Sequence, residues 1–158
     1  RRTLLRWAVA PVALSALGSA GACQTAPRIY DLNVSRDEGC PCCHVWADQM
    51  EKTGRFKVSL VDAPDLPAYK RKLGVPASLG ACHTATVEGL VVEGHVPADD
   101  ILRLLNDKPK GVIGIAVPGM PRGSPGMEQP NGATDSYQTI AFDAEGRQSV
   151  FAEHAGNT

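Results

Sequence analysis

The stretch "EGCPCCHVW", residues 38–46, packs Cys40, Cys42 and Cys43 into four positions, and a helix is expected to begin there because Pro41 suits a first helical turn. Unpaired N–H groups and the helix dipole favour negative charge at such a start, and the thiolate is the form of cysteine that attacks disulfides and binds metals. Cys40 and Cys43 alone have the C-x-x-C spacing of thiol oxidoreductases. Cys42 is surplus to that chemistry, because a third thiol offers competing disulfides. A single tetrahedral zinc usually takes its ligands from separated pairs, whereas Cys42 and Cys43 are adjacent and project about 100° apart around a helix. Adjacent thiolates suit bridging, and copper(I), a soft ion, accepts sulfur ligands of this kind and shares them between ions. At this point a redox pair and a thiolate metal cluster both stand.

The elements that must position these thiols are legible from periodicity. "RIYDLNV" (28–34) alternates as a strand, and "CPCCHVWADQMEKTG" (40–54) places Cys43, Trp46, Ala47 and Met50 on one helical face before a stop at Gly54. "RFKVSLVDA" (55–63) alternates again, and "DLPAYKRKLG" (65–74) is a short helix capped by Asp65 and ended by Gly74. "VPASLGA" reads as a loop. "CHTATVEGLVVEGHV" reads as two strands joined at Glu88-Gly89, and "PADDILRLLNDK" (97–108) as a helix with Ile101, Leu104 and Leu105 on one face. This order predicts a thioredoxin-like α/β domain, a central mixed sheet flanked by helices. "GVIGIAV" adds a strand, "PGMPRGSPGMEQPNGATDS" a 19-residue loop of functional length, and "YQTIAFDAEGRQSVFAEH" a C-terminal β-hairpin.

In such a domain the segment before the third strand packs over the redox motif, commonly with a cis-proline. Here that segment is "GACHTA", so Cys82 is expected to face Cys40, Cys42 and Cys43 and complete a four-thiolate pocket. His44, His83 and His95 are further candidate ligands; His83 is placed by strand alternation on the side opposite Cys82, and His95 precedes a helix. Met120 and Met127, two thioethers on the long loop, are soft candidates for copper(I). Met50 lies about 10 Å along the helix from Cys43 and belongs to the core.

Residues 1–27 carry a basic head with Arg1, Arg2 and Arg6, an apolar run from Trp7 to Leu17, and Ala20-Gly21-Ala22, the three regions of an export signal of twin-arginine type. The run is too short and too interrupted for a membrane span. Cleavage near Cys23 raises a lipid anchor, but Ala20 stands where such signals carry Leu, so residues 28–158 are expected to form one unanchored domain in the periplasm. Loss of three arginines and no acid leaves 13 Lys+Arg against 17 Asp+Glu, a net charge of −4 with no basic patch for nucleic acid.

Three segments, "GCPCCHVW", "LGVPASLGACHTATVEGLVVEGHVPADDI" and "IAVPGMPRGSPGM", together resemble the CopG-type copper-resistance proteins, over about residues 28–153. The resemblance implies a thioredoxin-like fold, a periplasmic location and a copper site on Cys40, Cys42, Cys43 and Cys82. His44 inherits no role from it, and Cys23 lies outside the match. The resulting expectation is a periplasmic copper(I)-binding protein of copper tolerance, holding more than one ion in a cysteine cluster, with redox cycling and with other periplasmic copper-handling proteins as partners. The alternative is a thiol:disulfide oxidoreductase using Cys40 and Cys43.

Overall fold

The computed structural model describes residues 27–157, so the expected leader and Cys23 lie outside the described residues. Among the described residues seven strands and three α-helices follow one another as β1 (Tyr30–Arg36), α1 (Pro41–Lys52), β2 (Phe56–Asp62), α2 (Leu66–Lys72), β3 (His83–Val87), β4 (Leu90–Gly94), α3 (Ala98–Asp107), β5 (Val112–Val117), β6 (Tyr137–Asp143) and β7 (Gln148–His154). The strands form one mixed sheet in the order β2-β1-β3-β4-β5-β6-β7. β1 runs parallel to β2 and antiparallel to β3, β3 runs antiparallel to β4, and this four-stranded part with its helices is the thioredoxin-like arrangement. β5 joins parallel to β4, and β6 and β7 extend the sheet as an antiparallel hairpin.

Period-two alternation divides the apolar residues between two faces of the sheet. On one face Leu32, Val34, Ala85, Val92, Ile115 and Val117 pack with Trp46 and Met50 of α1 and Ile101, Leu104 and Leu105 of α3. On the other, Val91, Ala116 and Phe142 pack with Val75 and Leu79, in the segment that follows α2. Helix α1 buries Cys43, Trp46, Ala47 and Met50, the four residues its spacing predicts. Asp65 Oδ1 accepts from the Ala68 N–H at 2.8 Å and caps α2 as expected. The segment read as a loop after α2 contains a single 3-10 turn, Ala77–Leu79, which buries Leu79. Residues 118–136 form no helix or strand, in keeping with their proline and glycine content.

Candidate metal centre

Helix α1 begins at the carboxyl end of β1, and the loop between them is held tightly. Arg36, 8% exposed, donates from Nη1 to the Cys40 carbonyl at 2.7 Å and pairs through Nε with Asp62 Oδ1 at 2.8 Å. Cys40 stands at the N-cap in an extended conformation and Pro41 opens the helix. One turn therefore carries three thiols to the same end of the sheet. Cys82 arrives from the strand entering β3, antiparallel to β1.

The four sulfurs lie within 4.8 Å of one another. Cys40 and Cys43 form a disulfide with their Cα atoms 5.5 Å apart, while Cys42 and Cys82 are free thiols, each half-buried. Cys42 Sγ is 3.3 Å from Cys40 Sγ and 3.8 Å from Cys82 Sγ, and Cys43 Sγ is 3.5 Å from Cys82 Sγ. The expected convergence of Cys82 on the C-x-C-C turn is thus present. Among the described residues there is no cis peptide bond, so Cys82 fills the place of a cis-proline in a trans chain.

Burial first, then the neighbouring Cys42, pushes the Cys82 thiol up to about 12, against a smaller downward pull from Lys70. Without a cation beside it Cys82 stays protonated at neutral pH, and a bound metal ion would reverse that by stabilising the thiolate directly.

Two histidines complete the surroundings of Cys82. His95 is fully buried, with Nε2 at 3.1 Å from Cys82 Sγ and Nδ1 at 2.8 Å from the Pro125 carbonyl. A carbonyl only accepts, so Nδ1 carries the proton and Nε2 presents its lone pair to the sulfur, the tautomer that metal-ligating histidines use. His83 does not lie on the side opposite Cys82 as alternation predicts, because β3 begins only at His83: its Nδ1 lies 3.5 Å from Cys82 Sγ, and the ring packs against Trp46 and His95 with centroids 4.5 and 5.0 Å away. Burial, reinforced by His95 and Lys70, lowers His83 to about 3, and burial also lowers His95, so both rings are neutral. Cys82, His83 and His95 form a second group of donors close enough to share one ion.

His44 is exposed, lining a shallow cleft with Arg36, Asp48, Glu51 and Asp62, and is not part of either donor group. Met120 is 53% exposed and Met127 half-buried, one residue past Gly126.

Sequence reasoning missed two supports of the centre. The first is Glu93, fully buried on β4, whose carboxylate pairs with Lys70, accepts from the Ala81 N–H at 2.7 Å and accepts from Thr84 Oγ1 at 2.6 Å. It thereby fixes the backbone immediately before Cys82. The "VVEG" alternation contained a signal, since a glutamate lies at an otherwise apolar position. The second is the contact by which the long loop, expected to be functional, reaches α1 at Gly126. A Cβ there would sit 2.9 Å from the Cys42 carbonyl oxygen and 3.0 Å from the Trp46 nitrogen, and φ is +85°, so only glycine permits the approach.

The family described as "Protein of unknown function, DUF411" matches residues 79–127, the stretch containing Cys82, His83, His95 and Gly126. Two solved structures cover far more. "Copper resistance protein copG- Form 1" is 44% identical, with a TM-score of 0.73, over 83% of this chain and 100% of that one. The chain belongs to the CopG copper-resistance family. The Form 2 structure of copG agrees, at 43% identity and a TM-score of 0.74 over 81% of this chain and 100% of that one. No curated protein matches. As a member of the CopG family the chain carries its cysteine cluster at the helix start of an α/β domain, and among the described residues no helix is long and apolar enough to cross a membrane.

Proposed function

We propose that this protein binds copper(I) in the periplasm as part of copper tolerance, holding more than one ion between Cys40, Cys42, Cys43 and Cys82 when all four are reduced. The observation that carries the reading is the mutual approach of four sulfurs within 4.8 Å, on a helix start where charge is favourable. Copper is cargo here, exchanged with other periplasmic copper-handling proteins. The solved relatives, named as copper resistance proteins, support the choice of metal. Soft thiolates and neutral imidazole suit copper(I), and four thiolates with two adjacent offer more bridging sulfur than one ion uses. His95, with its lone pair directed at Cys82, is the best-placed nitrogen donor. Anaerobic titration of the reduced protein with copper(I), followed by metal analysis, is expected to saturate above one equivalent. Saturation at one equivalent would remove the cluster, and displacement of copper by zinc would remove the metal assignment.

The disulfide between Cys40 and Cys43 favours a second activity, thiol:disulfide exchange at the C-x-x-C pair. Closing it withdraws two of the four ligands. Binding and redox chemistry are therefore coupled through the same sulfurs, and reduction is expected to raise copper capacity.

A further inference from the structure

The sulfurs form a closed circuit. Cys40 approaches Cys42 at 3.3 Å, Cys42 approaches Cys82 at 3.8 Å, Cys82 approaches Cys43 at 3.5 Å, and the disulfide returns to Cys40. Closing Cys40–Cys43 leaves Cys42 and Cys82 as neighbours with no other thiol partner among the described residues. We propose that Cys42 and Cys82 are a second redox dithiol, so that the pocket oxidises in two steps, first to Cys40–Cys43 and then to Cys42–Cys82.

Geometry permits the second bond. A disulfide needs its sulfurs at about 2.05 Å, so the 3.8 Å pair must close by roughly 1.8 Å, which side-chain rotation at two half-buried positions supplies. The oxidant is a disulfide of the general form RSSR. The Cys42 sulfur attacks it, the S–S bond breaks, and one RS⁻ leaves with the Cys42 proton. Cys82 then attacks Cys42 Sγ and expels the second RS⁻, which takes the Cys82 proton by way of His95 Nε2, 3.1 Å away. Two thiols have lost two electrons and two protons, and RSSR has become two RSH. Repeated at both pairs, the exchange removes four electrons from the pocket. The consequence for cargo rests on the copper reading: the first step leaves two thiols and His95 for metal, and the second leaves no thiolate.

The test uses the full chain, reduced and metal-free, with dithiodipyridine as the disulfide, alkylation at each stage and tryptic digestion without reduction. Cys40, Cys42 and Cys43 fall in peptide 37–52 and Cys82 in peptide 73–103, while Cys23 falls in a third peptide read separately. Limiting oxidant is expected to give peptide 37–52 with one internal disulfide and Cys82 alkylated. Excess oxidant is expected to join the two peptides in a product four hydrogens lighter than their sum. In Cys42→Ser the first step persists and the link is lost. Alkylated Cys42 and Cys82 at excess oxidant, or a link that survives in Cys42→Ser, overturns the proposal. Copper titration of the same reduced protein scores the metal reading separately, because the dithiol oxidises without copper.

Discussion

Cys42 is the residue on which the two chemistries of the pocket divide. It lies within 3.8 Å of both Cys40 and Cys82 and stands outside the C-x-x-C pair, so replacing it removes a sulfur that links the helix start to the opposite segment and leaves that pair intact. Cys42→Ser is expected to lower copper(I) stoichiometry by at least one ion while C-x-x-C disulfide formation continues at Cys40 and Cys43; metal analysis and thiol counting on one sample check both halves. Glu93 works at one remove, through the backbone of Ala81. Glu93→Gln keeps an acceptor for the Ala81 N–H, whereas Glu93→Leu leaves that N–H without its acceptor and Lys70 with Thr84 Oγ1 but no opposite charge. Breaking a buried charge pair from one side costs about 3 kcal/mol. Denaturant unfolding is expected to show a loss of that order in the leucine variant, with copper stoichiometry kept in the glutamine variant and lowered in the leucine variant.

Among the elements, the 118–136 loop is the least regular and the most consequential. It touches the centre through the Pro125 carbonyl on His95 and the close packing of Gly126 on α1, and it is clasped outside by Arg122, whose guanidinium meets both carboxylate oxygens of Asp135. A methyl group at Gly126 has no room, and the left-handed backbone there adds about 1 kcal/mol of strain for other residues. Gly126→Ala is expected to lift the loop, detectable as faster amide exchange around residues 122–128 and loss of the His95 Nδ1 proton resonance. Hydrogen bonds from Arg122 hold the Asp135 carboxyl below its ordinary 3.8. A depressed folded value means that the clasp stabilises fully above 3.8 and is lost as pH falls through the folded value. The stability gap between the protein and Asp135→Asn should therefore be present at pH 7 and shrink below about pH 4; a gap independent of pH would show that the charge is irrelevant.

At the scale of the whole molecule, the C-terminal hairpin is joined to the thioredoxin-like part by specific polar contacts as well as by the sheet. Thr139 Oγ1 and His154 Nε2 both donate to Asp100 Oδ2, at 2.6 and 2.9 Å, and Arg103 lies over the Phe151 ring at 4.0 Å. The elements and their order could be read from the sequence, because alternation and i, i+3, i+4 spacing are strong wherever one face is buried. The meeting of Cys82 with the C-x-C-C turn was also legible, since the topology determines which segment faces the first helix. His95 could be named as a candidate donor and the loop as functional, but the contact that joins them could not, because Pro125 lies 30 residues from His95 and its place depends on how an irregular segment folds back. Glu93 was hidden for a related reason: alternation says that a position is buried, but cannot say which lysine will reach it. The exposure of His44 follows from the helix period, which points the residue after Cys43 away from the face that carries Trp46.

Trp46 sits one turn beyond Cys42, fully buried, with its indole N–H on the Val96 carbonyl at 2.9 Å and its ring against His83 at 4.5 Å. The protein thus carries a light source at the wall of its own pocket. Excited indole in so dry a site emits towards the blue, and disulfides, protonated imidazoles and copper ions each quench it over short distances. Reduction of Cys40–Cys43 is expected to brighten the emission and stepwise copper(I) addition to dim it, the break in slope marking the stoichiometry without any added dye. Trp7 emits as well, so the difference between the protein and Trp46→Phe isolates the signal. A copper titration that fills the protein while leaving that difference unchanged would place the metal somewhere other than beside this ring.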